Sequence, residues 1–146
     1  MIFVWSSDLE TGDKVIDAQH KELVNMYNKL LLYCTTNLGK ALDMSAEVTK
    51  SLDFLCSYTV KHFTGEETLQ QKYGYPDLTR HKQLHEEFKL KAVKLSETFE
   101  KVGMSEQFIS ILHAQIGLWL VTHIQEEDTK MVKYIKDAQS AAAARN

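Results

Sequence analysis

Helical periodicity is the feature that most limits how this chain can fold. Apolar residues recur at spacings of three and four along four long segments, which is the pattern of helices with one buried face. The single proline, Pro76, and the glycines Gly39, Gly74 and Gly103 lie between these segments, where helices end. Helices joined by short turns favour an all-α fold, an up-down-up-down antiparallel four-helix bundle.

The helix ends are predicted from capping and stop residues. An acidic or hydroxyl side chain can accept a hydrogen bond from the first turn, and glycine or proline ends a helix. The predicted helices run from Asp13 or Asp17 to a stop near Asn37-Leu38-Gly39, from about residues 43–45 to a stop at Tyr73-Gly74-Tyr75-Pro76, from about Asp77 to Gly103, and from a cap at Ser105 onward. The inner faces are predicted to include Leu69 and Tyr73 on the second helix and Gln115 on the fourth.

Two segments fall outside the helical pattern. Residues 1–12 form a non-helical arm containing Trp5, which we expect to pack along the bundle. The alanine-rich end has no apolar stripe, and we expect it to be frayed or exposed to solvent. We therefore predict a bundle domain over residues 1–135 and a tail over residues 136–146.

Charge and hydropathy exclude several classes of partner. The net charge is −3 over 146 residues, and both signs are mixed along the chain. Neither nucleic acid nor an anionic membrane is therefore expected as a partner. No apolar run is expected to reach the roughly 20 residues of a membrane span, and the apolar N-terminus lacks the basic flank of a signal peptide. We expect a cytoplasmic monomer.

Polar side chains of the kind that bind metals occupy inward positions on the second and third helices. His62 and Glu66 are four residues apart, as are His81 and His85, so each pair points in one direction. Burying an imidazole or carboxylate group without a partner costs on the order of several kcal/mol. Such groups are therefore expected to pair with one another or to bind a metal.

The topology places further histidines at the same level. His20 is expected near the start of the first helix and His123 near the end of the fourth. In an antiparallel bundle, both meet the His81 and His85 pair and the end of the second helix. A nitrogen-rich set with carboxylate suits iron, zinc or copper rather than calcium or magnesium. Spacing alone does not choose among them, and a bundle that binds zinc, or no metal, remains open.

The residues around these positions form motifs that extend along most of the chain. They are Trp5, Gly12, Ile16-Asp17-Ala18-Gln19-His20, His62-Phe63-Thr64-Gly65-Glu66-Glu67, Tyr75-Pro76, His81-Lys82-Gln83-Leu84-His85, Trp119-Leu120-Val121-Thr122-His123-Ile124 and Asp128. These motifs resemble those of the hemerythrin family, specifically the bacterial hemerythrins, over about residues 3–132. The resemblance implies two iron ions. One would be held by His81, His85 and His123 and the other by His20 and His62, with an oxygen from solvent between them. Glu66 and Asp128 would bridge both ions.

The same resemblance implies reversible dioxygen binding, for storage, delivery or sensing, without enzymatic activity. A sensor would need a separate protein partner. The alternative is a di-iron oxidase, peroxidase or nitric-oxide-handling enzyme, whose sites in other bundles contain more carboxylate. An apolar pocket around the dioxygen would exclude water. Its implied lining is Leu23, Phe63, Trp119, Leu120 and Ile124.

Asp128 does not fit a regular helix. It lies five residues after His123, about 140° away, whereas Glu127 would share the face of His123. A single-turn π-bulge would bring Asp128 into register. We follow the resemblance and predict Asp128 as the bridging residue, with Glu127 as its rival.

Other polar residues near the site are not predicted to bind metal. Glu67 is expected to be solvated, and His113 is expected to be structural or on the surface. Gln19 or Asp17 could orient a ligand histidine, because such histidines normally donate their second N–H to a partner.

Overall fold

The computed structural model describes residues 1–145 and contains four long helices, with no strand among those residues. Connections of a few residues make neighbouring helices antiparallel, and α1 packs on α2, α2 on α3, and α3 and α1 on α4. The predicted four-helix bundle is confirmed. The helices are α1 (Lys14–Asn37), α2 (Ser45–Lys72), α3 (Leu78–Val102) and α4 (Glu106–Ala144). Because α4 continues to Ala144, His123 lies near its middle and not near its end.

Side-chain caps explain where the helices begin. The Asp13 carboxylate accepts from the Ile16 N–H at 2.9 Å, so Asp13 and not Asp17 caps α1. The Ser105 hydroxyl accepts from the Phe108 N–H at 3.0 Å at the start of α4. At the end of α3, Gly103 adopts a φ of 63°, which favours glycine.

α4 contains two π-helical segments, Leu112–Gly117 and Ile124–Asp128. The second is the bulge predicted after His123, and that prediction is confirmed. The first was not predicted. Because a π turn takes more than four residues, positions four apart stay on one face of α4, and the inward series is Leu112, Ile116, Leu120, Ile124 and Asp128.

The unpredicted π segment changes which residues of α4 face inward. Gln115, expected on the inner face, is only half-buried and accepts a hydrogen bond from Lys91 at 2.7 Å. Ile116 takes the inward position. Gly117 packs against the ring of Tyr27 so closely that a Cβ there would lie 2.5 Å from Tyr27 Cζ.

The end of α2 also differs from the expected pattern. Gln70 is buried, whereas Leu69 and Tyr73, expected inward, are half-buried. The Gln70 amide donates to Met131 Sδ at 2.8 Å. The later turns of α4 cover this end of the bundle and determine which face of α2 is enclosed.

The apolar core has two parts, and the predicted ligands lie between them. The larger cluster includes Leu23 on α1 and Phe88 on α3, and the smaller one contains Ile16, Tyr75 and Met131. The polar residues of α1 and α3 follow Ile16 and Tyr75 in the chain and precede Leu23 and Phe88. Apolar layers therefore enclose the polar layer from both ends.

The N-terminal arm packs along the bundle as expected. The Phe3 backbone exchanges two hydrogen bonds with the Asn28 amide, at 2.9 and 2.7 Å. Trp5 packs on the core and lies under the Lys21 ammonium, 5.5 Å from the ring centroid. The arm is not entirely non-helical, because Ser7–Leu9 form a 3-10 turn that buries Leu9.

The C-terminal end of the chain is helical as far as Ala144, and residues 140–144 are exposed. Lys136 and Gln139 still contact the bundle, through the Gly12 carbonyl at 2.5 Å and the Tyr73 hydroxyl at 3.2 Å. Asn146, the last residue of the expected tail, lies outside the described residues. The domain boundary at residue 135 stays a prediction.

By length and composition α4 could cross a membrane, contrary to the expectation that no run would be apolar enough. An 18-residue window of Glu106–Ala144 has a mean hydropathy of 1.2. The core helix of a bundle meets the same criterion. Here the buried side chains of Phe108, Ile116 and Leu120 pack in the core shared with the other helices.

Candidate metal centre

The structure brings together all seven side chains predicted as metal ligands. Each is at most 5% exposed. Their donor atoms form two groups that share Glu66 and Asp128, and within each group the atoms lie within 4.8 Å of one another. Their roles as ligands stay predictions. The three-histidine group contains His81, His85 and His123, and the two-histidine group contains His20 and His62.

The Glu66 carboxylate faces both groups, with one oxygen toward each. Glu66 Oε1 lies 3.4 Å from His85 Nε2 and 3.8 Å from His81 Nε2. Glu66 Oε2 lies 3.4 Å from His62 Nε2 and 3.8 Å from His20 Nε2. The i,i+4 spacing on α2 turns Glu66 and His62 the same way. This arrangement suits a carboxylate that bridges two metal ions.

Asp128 has the same arrangement from the opposite helix. Its Oδ1 lies 3.2 Å from the Nε2 atoms of both His81 and His123, and its Oδ2 lies 2.9 Å from His20 Nε2. The π segment Ile124–Asp128 turns this side chain inward, because it adds a residue to the turn after His123.

Glu127, the rival for the bridging position, is engaged elsewhere. Both of its oxygens accept from the Arg80 guanidinium at 2.6 Å in a bidentate pair at the surface. The hydrogen bond from Arg80 lowers the pKa of Glu127. Glu127 therefore lies outside both groups, and the structure places Asp128 inside them.

The spacing of the donor atoms fits metal ions of the first transition row. Zinc, as an example, takes nitrogen and oxygen ligands at about 2.0–2.2 Å, which puts neighbouring ligand atoms about 3.0–3.5 Å apart. The distances given above between imidazole nitrogens and carboxylate oxygens run from 2.9 to 3.8 Å. His20 Nε2 and His62 Nε2 are 3.0 Å apart, a close approach that a shared metal explains. Thiolates are absent from both groups.

Buried donor atoms without hydrogen-bond partners point to the same conclusion. Among the described residues these include both Glu66 oxygens, Asp128 Oδ1 and the Nε2 atoms of His81, His85 and His123. Buried polar atoms are nearly always paired, so such a concentration requires an explanation, such as a bound ion. The donor set therefore fits a two-metal site.

The two carboxylates are held in their ionised form. Burial and the charge of Asp128 raise the pKa of Glu66, but the three imidazoles of His62, His81 and His85 close to its oxygens outweigh both and lower it to about 2. Burial opposes the charge on His81 as well, yet the nearby carboxylates of Asp128 and Glu66 raise its pKa to about 9. Protons therefore compete with metal for this site.

Two ligand-type histidines have partners on their outward nitrogens. His62 Nδ1 lies 2.6 Å from Gln19 Oε1. Gln19 is therefore placed to orient this histidine, one of the two possibilities considered from the sequence. His85 Nδ1 lies 3.2 Å from Glu67 Oε2, so the expectation that Glu67 is merely solvated is wrong. Its position four residues after Phe63 was the available signal. Asp17 takes no part, because it accepts from the Thr11 hydroxyl at 2.7 Å and secures the arm.

Aromatic rings from the predicted dioxygen pocket lie against the three-histidine group. Phe63 stacks on His85 with centroids 3.7 Å apart, and Trp119 stacks on His123 at 4.5 Å. The aliphatic members Leu23, Leu120 and Ile124 are buried, whereas Trp119 is half-buried. The pocket assignment stays a prediction.

His113 lies outside the site, as expected of a structural residue. Its Nδ1 is 2.9 Å from the Tyr27 hydroxyl, and Phe3 stacks on its ring at 5.8 Å. Burial raises the pKa of Tyr27 to about 12, so the hydroxyl keeps its proton at neutral pH. The contact fastens the N-terminal arm to α1 and α4.

Comparison with known proteins gives a consistent result. A family model described as the hemerythrin HHE cation binding domain matches residues 11–135. The chain is 35% identical over 137 residues to a bacteriohemerythrin of Pseudomonas paraeruginosa, covering 94% of this chain and 84% of that protein. It is 30% identical to a bacteriohemerythrin of Stenotrophomonas maltophilia, covering 92% and 82% of the two chains. The crystal structure of a wild-type hemerythrin matches with a TM-score of 0.75 and 28% identity, covering 92% and 98%.

Proposed function

Because the chain belongs to the hemerythrin family, we propose that it binds dioxygen reversibly at a non-haem di-iron centre, for storage, delivery or sensing. The observation that supports this most directly is the pair of buried donor groups joined by two carboxylates. When bound, iron supplies the electrons for reversible binding of dioxygen.

The side chains divide the work of holding two ions. His81, His85 and His123 would hold one iron, and His20 and His62 would hold the other. Glu66 and Asp128 each direct one oxygen to each side, so their negative charge would offset that of the two ions. With two histidines instead of three, the His20 and His62 side would keep room for dioxygen. The buried, ionised carboxylates bind metal without first losing a proton, whereas His81 must release one.

The apolar neighbours protect the site from water. Leu23, Leu120 and Ile124 are at most 3% exposed, and none of them offers a proton. Phe63 and Trp119 fix the planes of His85 and His123 by stacking. Excluding water limits proton delivery and therefore slows irreversible oxidation of the irons.

Binding rather than catalysis is favoured by the donor set. Five imidazoles and two carboxylates come together here, whereas oxygen-activating bundles have more carboxylate ligands. We therefore propose a carrier and not an enzyme. A cytoplasmic monomer remains part of the proposal, and size-exclusion chromatography with light scattering tests the monomer directly.

The deciding experiment combines metal analysis with optical spectra. The protein is purified, its iron is counted, and it is reduced without oxygen, exposed to air and flushed with argon. We expect two irons per chain and a visible spectrum that appears in air and is lost under argon. Rapid formation of the fully oxidised protein with turnover of a reductant would indicate the enzymatic alternative. Fewer than about one iron in a fully folded chain would contradict the di-iron proposal.

A further inference from the structure

The two halves of the site differ in the partner of the outward imidazole nitrogen. His62, from the two-histidine group, contacts the neutral amide oxygen of Gln19 at 2.6 Å. His85, from the three-histidine group, contacts a carboxylate oxygen of Glu67 at 3.2 Å. Each group therefore has one such contact, and the two contacts differ in charge.

The inward contacts of the same two histidines are matched. His62 Nε2 and His85 Nε2 each lie 3.4 Å from an oxygen of Glu66. With Nε2 directed at the metal position, the hydrogen of each ring is on Nδ1, which donates it to Gln19 or Glu67. The difference between the two histidines thus lies on their outer side.

The position of Glu67 follows from the helix that carries it. Phe63 and Glu67 are four residues apart on α2 and face the same way. Phe63 covers the face of the His85 ring, with 6° between the two planes, while Glu67 reaches its edge. The Glu67 side chain is 18% exposed, and partial contact with water lowers the cost of keeping it charged.

The position of Gln19 follows from α1. It precedes His20 in the chain and reaches across to His62 on α2. An amide oxygen accepts the same hydrogen bond as a carboxylate but carries no net charge. Gln19 therefore orients its histidine without adding an anion to that side.

Resting on the proposed di-iron function, we propose that Glu67 and Gln19 are positioning residues that make the two metal ions electronically unequal. A carboxylate that accepts from Nδ1–H makes the opposite nitrogen of the imidazole a stronger donor to its metal. Glu67 thereby stabilises the more highly charged form of the ion in the three-histidine group. Because Gln19 is neutral, His62 remains a weaker donor to its metal. The more highly charged form of the ion held by two histidines is therefore stabilised less.

The test exchanges the two charges. Glu67→Gln removes the anion but keeps a hydrogen-bond acceptor of the same size, and Gln19→Glu adds an anion on the other side. Glu100→Gln, an exposed position on the far half of α3, changes the net charge equally and is the control. The readouts are the reduction potential of the iron-loaded protein and zinc(II) affinity of the metal-free protein, measured by chelator competition.

We expect Glu67→Gln to raise the reduction potential and to weaken zinc(II) binding about tenfold to a hundredfold, the usual effect of losing such a partner. Gln19→Glu should lower the potential, and Glu100→Gln should change neither quantity. In the zinc-loaded protein, the Nδ1 proton of His85 should move upfield in the NMR spectrum of Glu67→Gln, because its acceptor is no longer charged.

The outcomes separate this inference from the function on which it rests. Wild-type protein that takes up no pair of metal ions would overturn both. Normal loading of the wild type, with Glu67→Gln and Glu100→Gln indistinguishable in potential and affinity, would overturn only the role of Glu67. If Glu67→Ala weakens zinc(II) binding while Glu67→Gln matches the wild type, the contact matters and the charge does not, which also refutes the proposal.

Discussion

Two glycines within helices should respond in opposite directions to the same substitution. At Gly65 on α2, a Cβ would meet no atom within 4 Å, whereas at Gly117 it would lie 2.5, 2.6 and 2.8 Å from three atoms of Tyr27. Tyr27 is fully buried and bonded to His113, so its ring has little room to move. The substitutions Gly65→Ala and Gly117→Ala therefore separate steric fit from backbone entropy.

The magnitudes follow from these two environments. Gly65→Ala should stabilise the protein by about 0.5–1 kcal/mol, the helix preference of alanine over glycine. Gly117→Ala gains the same amount but adds overpacking of about 1–3 kcal/mol. The two variants should therefore differ by about 1–3 kcal/mol, or about 3–10 °C in melting temperature for a domain of this size.

The assay is thermal and urea unfolding of both variants, with and without metal. Gly65 neighbours Glu66 in the chain, so the metal-free measurement removes any effect through metal loading. If Gly117→Ala stabilises the metal-free protein as much as Gly65→Ala does, Tyr27 is not fixed against α4. The account of the first π segment would then be refuted.

Four further predictions concern the site and the chain end. Leu120→Ala removes a side chain that is 3% exposed, and should cost about 2–5 kcal/mol and shorten the lifetime of the oxygenated protein, followed by its visible spectrum. Asp128→Asn should lower the iron content, whereas Glu127→Gln should leave it unchanged and cost under about 1 kcal/mol, as for a surface pair. Equal iron contents in the two variants would contradict the role of Asp128. In the metal-free protein, the pKa of His81 rises from 6.5 to about 9. Its contribution of about 3 kcal/mol to the free energy of unfolding should therefore be complete below pH 6.5 and lost as the pH rises through 9. Unfolding curves that do not change over that range would contradict this contribution. Deleting residues 140–146, the outer part of the proposed tail, of which residues 140–145 are exposed, should leave the melting temperature and the iron content unchanged.

Much of the fold was predictable because it depends on local rules. Asp13 and Ser105 have the side chains that cap helices, and Gly103 has the φ that ends one, so the helix ends follow from single residues. The i,i+4 pairs on α2 and α3 also need only helix geometry to face one way. Only their meeting with α1 and α4 required the topology of the bundle.

The two π segments show where local rules were insufficient. The bulge before Asp128 was predicted because a specific side chain had to be explained. The segment Leu112–Gly117 had a fainter signal, in apolar residues spaced by four from Leu112 to Ile124. On a regular helix such a series turns about 40° at each step, so a continuous inward face required wider turns. Gln115 was misplaced because a regular helix was assumed.

The role of Glu67 could not follow from the pattern of α2 alone. A glutamate next to an inward glutamate is normally exposed, because successive helix positions point about 100° apart. It reaches His85 only because α3 packs on that side of α2 and Phe63 fixes the imidazole plane. The ligands are determined by spacing within each helix, whereas their partners are determined by packing between helices. Sequence patterns therefore identify the donors of a bundle site more readily than the groups that tune them.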